Sequence, residues 1–485
     1  MQKSYNYLLY PKVYLIAFMQ FLVSLFYVVE ASDKIEYTLE YNNLLISSNI
    51  NIFIGESDIF CQSQIKPIPI NRNNYKKQQY NVVEHAKRTL KISLSNQDLN
   101  IIPYNVFECH NLQYLDLSNN NLTKLPKEIT KLTQLKEIKL NNNKFKQFPI
   151  ELLEMPNLKK IDLSNNSIPV IDYDFSKLPY LQELKLSSCS IQKLKSSFLN
   201  NKFLKYLDLS NNKLEYFHFE INPSSIEIIN LAKNKLTGIP QDINKLTRLK
   251  KLVLADNYLT ELPKSINQLS SLCDLDLSSN EISTLDNSFC KLISLCTLNI
   301  SANKINNLPT QIKSLSNLQS LSISYSKTRK VPEQIFLLEN LKYLDLSGNH
   351  LTDLPKSITK LKKLEDLDLS FNNLRNIPNL LFEIKTLKHL TISDNFIRTI
   401  PIDIKNLSEL ISLNLINNSI IELPPEISAL SNCKIMLLSN NKIKYFPTTI
   451  NRLNNLKMLD LKNNMLSNSE KAKLKQCVTK AHIIF

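Results

Sequence analysis

A repeat of 23 residues dominates the chain. The segment LKYLDLSGNHLTDLPKSITKLKK, residues 341–363, recurs with the same spacing of leucine, asparagine and proline. Seventeen copies begin at 89, 112, 135, 158, 181, 204, 226, 249, 272, 295, 318, 341, 364, 387, 410, 433 and 456, and all are 23 residues long except the 22-residue copy at 204–225. A period of this length is typical of solenoid proteins, in which each repeat is one structural unit.

The spacing of apolar residues changes within each repeat. When the first leucine is numbered position 1, Leu344 and Leu346 occupy positions 4 and 6, and they alternate with polar residues. That alternation predicts a short strand with one buried face. Positions 14, 18 and 21 then follow a helical spacing that proline opens at position 15, and proline suits the first helical position because its missing N–H needs no partner there. One repeat cannot bury its leucines alone, so we expect stacked repeats with a parallel sheet inside and helical turns outside.

Asparagine at position 9 is the most regular polar residue of the repeat. Fourteen of the seventeen copies have it, and Gln97, Cys189 and Ser326 replace it in the others. A polar side chain between buried leucines must satisfy its amide, so we expect it to bond backbone groups of neighbouring turns.

These residues resemble the leucine-rich-repeat family, and within it the 23-residue LxxLxLxxNxLxxLPxxIxxLxx subclass of Ras-suppressor-like, plant disease-resistance-like and bacterial proteins. The resemblance covers residues 89–466. It implies an α/β fold, a leucine-rich-repeat solenoid shaped as a curved horseshoe, with a parallel β-sheet on the concave face and helical or 3-10 turns on the convex face. It also implies a protein or peptide partner on the concave face, and it brings no catalytic residue.

The segments outside the repeats suggest the route of the chain in the cell. Residues 13–29, VYLIAFMQFLVSLFYVV, follow Lys3 and Lys12 and precede Glu30 and Asp33. As a helix they would span about 26 Å, a little less than the roughly 30 Å of a bilayer core. Together with the small residues near position 31, they predict a cleaved export signal or an uncleaved signal anchor at 1–31, with a buried structural helix as the third alternative. Either membrane interpretation makes the protein secreted or membrane-anchored.

The predicted domain organisation follows from these boundaries. Residues 1–31 are the signal, 32–88 an N-terminal flanking region and cap, 89–466 the seventeen repeats, and 467–485 a C-terminal cap. Within the flanking region, residues 82–88 are expected to form one or two helical turns over the first repeat.

Composition excludes several classes of function. Three glycines leave no phosphate-binding loop, and the eight cysteines form no CxxC pair that would indicate zinc. The net charge of +15 comes without an arginine-rich tract or an aromatic–basic platform, so it does not indicate nucleic-acid binding. We therefore expect no catalytic residue, no metal and no cofactor. An enzyme hidden in residues 32–88 is the weakest alternative.

The outward-facing positions of the strands, expected to be 2, 3, 5, 7 and 8, hold the candidate partner site. Position 5 alternates in sign through Asp116, Lys139, Asp162, Lys185 and Asp208, so this stretch is expected to neutralise itself. Further along, Asp345 lies beside Asp368, and exposed aromatic residues accompany them. The predicted partner-binding residues are Tyr325, Tyr343, Asp345, Asp366, Asp368, Phe371, His389 and Asp394. Aromatic side chains among unpaired carboxylates favour a basic or arginine-bearing partner, although aspartate at position 5 is also the commonest form of this repeat.

One column of lysines occupies position 20, on the expected convex side: Lys131, Lys177, Lys245, Lys291 and Lys360. A solvated surface explains it, and contact with anionic lipid or a cell wall is the alternative.

The sequence thus predicts a noncatalytic protein-interaction module that is exported or membrane-anchored. The alternative is a cytoplasmic regulatory scaffold for small-GTPase or phosphatase signalling, as the Ras-suppressor-like resemblance implies. The two differ in the fate of residues 1–31.

Overall fold

The computed structural model describes residues 51–53, 88–194, 201–217, 225–305 and 307–485, and for 51–53 it describes the backbone alone. All of them belong to the compact unit Asn49–Phe485. The expectations for residues 1–31 and for the helical turns within 82–87 fall outside the described residues. Within the described residues, no helix is both long enough and apolar enough to cross a membrane.

Each repeat contributes a three-residue strand at positions 3–5, and the strands pair side by side in parallel. In the described residues they form a 19-stranded sheet, in which only β1 pairs antiparallel, with β2. A separate pair, β6 and β8, runs alongside. The strands are β1 Asn51–Phe53, β2 Lys91–Ser93, β3 Tyr114–Asp116, β4 Glu137–Lys139, β5 Lys160–Asp162, β6 Val170–Ile171, β7 Glu183–Lys185, β8 Lys193–Leu194, β9 Tyr206–Asp208, β10 Ile228–Asn230, β11 Lys251–Val253, β12 Asp274–Asp276, β13 Thr297–Asn299, β14 Ser320–Ser322, β15 Tyr343–Asp345, β16 Asp366–Asp368, β17 His389–Thr391, β18 Ser412–Asn414, β19 Ile435–Leu437, β20 Met458–Asp460 and β21 His482–Ile484.

The register of the sheet follows the period of the sequence. Leu344 of β15 lies opposite Leu367 of β16, and the same position meets itself at each step along the repeats. The middle residue of each repeat's strand at positions 3–5 points into the core, where Leu344 is fully buried. The predicted parallel sheet, and with it the α/β solenoid fold class, is confirmed.

Short 3-10 helices return the chain from the end of one strand to the start of the next. They are Tyr104–Glu108, Lys127–Lys131, Ile150–Glu154, Phe175–Lys177, Gln241–Lys245, Lys264–Gln268, Asn287–Lys291, Ile312–Ser314, Glu333–Leu337, Lys356–Lys360, Asn379–Glu383, Ile402–Asn406, Pro425–Ala429 and Thr448–Arg452.

The role expected of the position-15 proline is wrong. Pro355 does not occupy the first helical position but precedes it, with an extended backbone at φ −73° and ψ 154°. Its carbonyl accepts the first turn's hydrogen bond, from the Ile358 N–H at 3.1 Å. Proline therefore serves here as a rigid N-cap residue whose carbonyl, not its missing N–H, is the group that matters.

The position-9 asparagines join consecutive repeats through hydrogen bonds that recur in every repeat that has one. The Asn372 amide donates to the carbonyls of Leu369, at 3.1 Å, and Leu346 of the preceding repeat, at 3.0 Å. Its Oδ1 accepts the Leu351 N–H at 3.0 Å. The other position-9 asparagines repeat this pattern, so each amide ties its own turn to the turn before it. The sequence expectation for this residue is met.

The three repeats that lack this asparagine have a different turn. Position 8 adopts a left-handed backbone in every repeat, with φ between 52° and 63°. In the repeats of Gln97, Cys189 and Ser326, position 10 is left-handed as well, at Asp98, Ser190 and Lys327. The N–H groups of Gln97 and Cys189 are then donated to the next repeat's asparagine, at 3.0 Å each. Repeats without the position-9 asparagine amide thus have a second left-handed residue in the turn.

The chain beyond the last repeat leaves the 23-residue pattern. Helix α1, Asn468–Cys477, is capped by the preceding residue, Ser467, whose hydroxyl accepts the Glu470 N–H at 3.1 Å. It buries Leu474 against the end of the core, and β21 then continues the parallel sheet.

We predict that Asn372→Ala lowers the free energy of unfolding by about 3 kcal/mol, because it leaves buried carbonyls and one N–H without partners. Urea denaturation followed by circular dichroism measures the change. Asn373→Ala is the matched control, since Asn373 is the next residue in the chain and its side chain is exposed. Equal denaturation midpoints for the two variants would contradict this role of the ladder.

Candidate functional site

The strand side chains at positions 3 and 5 form the outer surface of the sheet, here called the sheet face. These residues are mostly half-buried, because each is flanked by the same position of the neighbouring strands. Position 7 does not belong to the sheet face, contrary to expectation. Most of its serines, such as Ser118 and Ser347, are buried, and the Ser118 hydroxyl donates to Asp116 Oδ1 at 2.6 Å.

The N-terminal part of the sheet face is neutralised by its own side chains. Lys185 Nζ lies 2.8 Å from Glu183, and Lys160 Nζ lies 3.2 Å from the same carboxylate. Burial alone would raise the pKa of Glu183, but the two lysines outweigh it and lower that pKa. Lys139 Nζ lies 5.3 Å from the centre of the Tyr114 ring. The lysines thus find Glu183 and Tyr114 as partners, rather than the aspartates of position 5 that the sequence suggested.

Asp345 and Asp368 lie directly opposite each other on β15 and β16. The Ser347 N–H donates to Asp345 at 2.9 Å, the Ser322 hydroxyl at 2.7 Å, and the Ser370 N–H donates to Asp368 at 2.8 Å. No lysine or arginine among the described residues forms an ion pair with either aspartate. Burial, and next the charge of Asp345, raise the pKa of Asp368 to about 7. The sheet therefore holds two like charges together without a counterion of its own.

Three further predicted residues surround this pair on the same strands. Tyr343 lies opposite Asp366, and Asp366 lies opposite His389. His389 Nε2 is 4.0 Å from Asp366 Oδ1, so a protonated imidazole would partly offset that charge. Burial raises the pKa of Asp366 and, more strongly, that of Tyr343. The phenol stays neutral and available as a hydrogen-bond donor.

Tyr325 and Phe371 lie at position 8, just beyond the ends of the strands. Their ring centres are 6.5 Å apart, although a whole repeat separates them in sequence. Gly348 occupies the same position of the intervening repeat, with φ +63°, and a Cβ there would lie 2.4 Å from Tyr325 Cδ1. Only glycine therefore lets the tyrosine ring cross to the phenylalanine. Gly348 was not among the residues predicted for this site, although its being one of only three glycines in the chain marks it as unusual.

Asp394, the last predicted residue, begins a row of exposed amides. Its Oδ1 accepts from Asn417 Nδ2 at 2.7 Å, and Asn440 and Asn463 continue the row at 2.6 and 2.7 Å. The structure therefore brings Tyr343, Asp345, Asp366, Asp368 and His389 together on three adjacent strands. It places Tyr325, Phe371 and Asp394 along one edge beside them. These eight residues are called the acidic–aromatic site below.

Comparison with known families and structures gives one consistent set of relatives. Models described as "Leucine-rich repeat region" and "Leucine rich repeat" match residues 229–333, and residues 146–191 and 316–374, respectively. A two-copy leucine-rich-repeat model matches residues 110–152, and a single-repeat model matches 203–227. Proteins of curated function gave no match.

Solved structures resemble most of the chain. A leucine-rich-repeat protein of Leptospira interrogans is 30% identical with a TM-score of 0.68, over 84% of this chain and 98% of its own. The plant peptide hormone receptor RGFR1, solved in complex with RGF2, is 26% identical with a TM-score of 0.54, over 78% of this chain and 67% of its own. The functional domain of InlJ from Listeria monocytogenes is 20% identical with a TM-score of 0.56, over 73% of this chain and 74% of its own, and it shows the fold alone.

We predict that Asp368→Asn stabilises the protein in a pH-dependent manner. Because folding raises the pKa of Asp368 from 3.8 to about 7, the folded state holds this proton more tightly than the unfolded chain does. Wild-type stability is therefore lost as pH rises through that window, whereas asparagine cannot ionise. The advantage of the variant should grow from pH 3.8 to about 7 and then level off.

Urea denaturation at a series of pH values measures this difference. When Asp345→Asn is also present, the pH range over which the stability difference grows should end at a lower pH. The reason is that the Asp345 charge no longer raises the pKa of Asp368. A difference that stays constant with pH would show that Asp368 ionises as freely in the folded protein as in the unfolded chain.

Proposed function

The chain belongs to the leucine-rich-repeat family, and from that premise we propose that this noncatalytic protein-interaction module binds a basic protein or peptide segment through its acidic–aromatic site. The observation that supports this proposal is the pair Asp345 and Asp368. Two adjacent carboxylates on the sheet face lack a cationic partner among the described residues. A cation supplied by another molecule would relieve their repulsion.

Arginine fits the pair better than lysine does. A guanidinium group is planar and can bond two carboxylate oxygens at once, whereas an ammonium group acts as a compact point charge. The backbone N–H groups of Ser347 and Ser370 donate to Oδ1 of each carboxylate, and the Ser322 hydroxyl donates to Asp345 Oδ2. The Asp368 oxygen that remains is the acceptor that the guanidinium would take.

The aromatic residues supply the apolar part of the proposed contact. Phe371 is 42% exposed, and Tyr325 supports it across Gly348. Exposed aromatic rings beside charged groups are typical of the few residues that carry most of an interface's binding energy. The plant receptor RGFR1 is solved with its partner RGF2, and this supports a peptide or an extended protein segment as the ligand class.

The hydrophobic segment at residues 13–29 supports export of the repeats, either secreted or anchored to a membrane. The likeness to a hormone receptor agrees with that route. The acidic–aromatic site would then meet partners outside the cytoplasm. No observation on the described residues favours the alternative of a cytoplasmic scaffold for small GTPases or phosphatases.

We predict that Phe371→Ala combined with Asp368→Lys weakens binding of an arginine-rich probe at least tenfold, or about 1.4 kcal/mol. The probe is a fluorescein-labelled peptide of alternating arginine and leucine, and fluorescence anisotropy measures its affinity. The melting temperature should not fall, because Phe371 is exposed and the new lysine lies beside Asp345.

The control variant carries Tyr445→Ala and Asp460→Lys. Tyr445 is an exposed aromatic residue, and Asp460 is a position-5 aspartate remote from the site. The control should bind the probe as wild type does. Equal affinity of all three proteins would refute the acidic–aromatic site.

We also predict that the mature protein begins near Ser32 or remains membrane-bound through residues 13–29. Cell fractionation and amino-terminal sequencing of the protein from its native source test this. An intact Met1 in the cytosol would refute export, and small GTPases and phosphatases would become the partners to examine.

A further inference from the structure

Position 23, just before each strand, carries asparagine in many repeats. These side chains donate to a carbonyl of the preceding repeat at 2.7–2.9 Å, as Asn157, Asn317, Asn340, Asn432 and Asn455 do. Two adjacent repeats instead have Tyr180 and Phe203 at this position. Their rings are 51% and 50% exposed, and the ring centres are 6.3 Å apart. An apolar pair thus replaces a hydrogen-bonded row at one place on the surface.

A buried polar residue holds the segment that carries Phe203. Asn201, 2% exposed, occupies a core position that neighbouring repeats fill with Leu178 and Leu246. Its amide donates to the carbonyls of Leu178 at 2.6 Å and Phe175 at 3.1 Å. Its Oδ1 accepts the N–H groups of Phe203 at 2.9 Å and Leu204 at 3.0 Å. These four bonds fix the backbone at Phe203, so the ring is presented on a rigid support, which lowers the entropy cost of binding.

Three exposed lysines flank the aromatic pair. Lys159 and Lys205 lie at position 2 of their repeats, and Lys202 directly precedes Phe203. Within the described parts of the chain, none of the three forms an ion pair. Two other position-2 lysines of the same edge are neutralised, Lys250 by Glu227 and Lys388 by Glu365, both at 2.8 Å. The five residues Lys159, Tyr180, Lys202, Phe203 and Lys205 are called the basic edge patch.

We propose that the basic edge patch binds an acidic segment of a partner protein. An apolar side chain of that segment would pack on Tyr180 and Phe203, while its carboxylates pair with the three lysines. The patch precedes the strands, whereas the aromatic residues of the acidic–aromatic site follow them. Five strand steps of about 4.8 Å separate β9 from β14, the nearest strands of the two surfaces, or about 24 Å. Both surfaces can therefore be occupied at once, by partners of opposite charge.

An anionic membrane is the other surface that attracts aromatic residues and lysines. Each lysine near such a membrane contributes about 1 kcal/mol, so stable attachment needs many free cations along a broad front. Here the three lysines beside the aromatic pair lie within the repeats that begin at 158, 181 and 204, and the ion pair of Lys250 with Glu227 follows. The small extent of the patch favours a short acidic segment.

The test uses the full chain and a fluorescein-labelled twelve-residue peptide of alternating glutamate and leucine. We expect saturable binding by fluorescence anisotropy, weakened by salt because the lysines are exposed. Phe203→Ala, and separately Lys202→Glu with Lys205→Glu, should each lower affinity at least tenfold. Wild type should bind the same peptide with glutamine in place of glutamate only weakly. Its affinity should be no higher than that of the variants for the acidic peptide.

Matched controls come from equivalent places on the surface. Tyr258→Ala removes another half-exposed ring, and Lys434→Glu with Lys457→Glu reverses two position-2 lysines of the last repeats. Both should bind the acidic peptide as wild type does. So should the Asp368→Lys, Phe371→Ala variant, which separates this proposal from the proposed function.

Three results would overturn the proposal. The first is that the acidic peptide shows no saturable binding. The second is that the patch variants bind this peptide as tightly as wild type does. The third is that the patch variants lose binding to vesicles of phosphatidylserine and phosphatidylcholine but not to the peptide. The last result would assign the patch to a membrane.

Discussion

The hydrogen bonds of the position-9 asparagines are the interaction on which the rest of the structure depends. Each turn that follows a strand leaves backbone groups without partners in its own repeat. The amide of Asn372 bonds four backbone groups at once, two of them in the repeat before it. Consecutive turns are thereby held at the spacing that the parallel strands require, and the leucines are packed between them.

A constant register converts a repeat position into a column on the surface. Because Tyr343 meets Asp366, and Asp366 meets His389, any departure from the common residue alters one column at one step. The two surfaces argued above are both departures of this kind. At Asp345 and Asp368 the position-5 column, which alternates in sign from Asp116 to Asp208, repeats the same charge. At Tyr180 and Phe203 aromatic rings replace hydrogen-bonded amides.

The acidic–aromatic site and the basic edge patch make two places along a regular solenoid chemically different from each other. One is acidic and lies around β14 to β17, and the other is basic and precedes β5 to β9. Each combines two neighbouring aromatic rings with charges that form no ion pair among the described residues, and each depends on a residue that is unusual for its column. Gly348 makes room for Tyr325, and Asn201 holds Phe203. Residues that differ from the usual residue type at their repeat position thus mark where the surface is specialised.

The amino-acid sequence by itself determined the parallel sheet, the buried leucines, the asparagine ladder and the strand neighbours of Asp345 and Asp368. It could do so because a strict 23-residue period dictates which residues share a column. Only the tertiary structure decided which side chains touch within and across columns, since that depends on rotamers, turns and burial. It buried most of the position-7 serines, paired Lys185 with Glu183, made proline a cap, and brought Tyr325 over Gly348 to Phe371. The repeat period fixes which residues lie opposite each other on adjacent strands. Which of their side chains are in contact depends on how they pack in three dimensions.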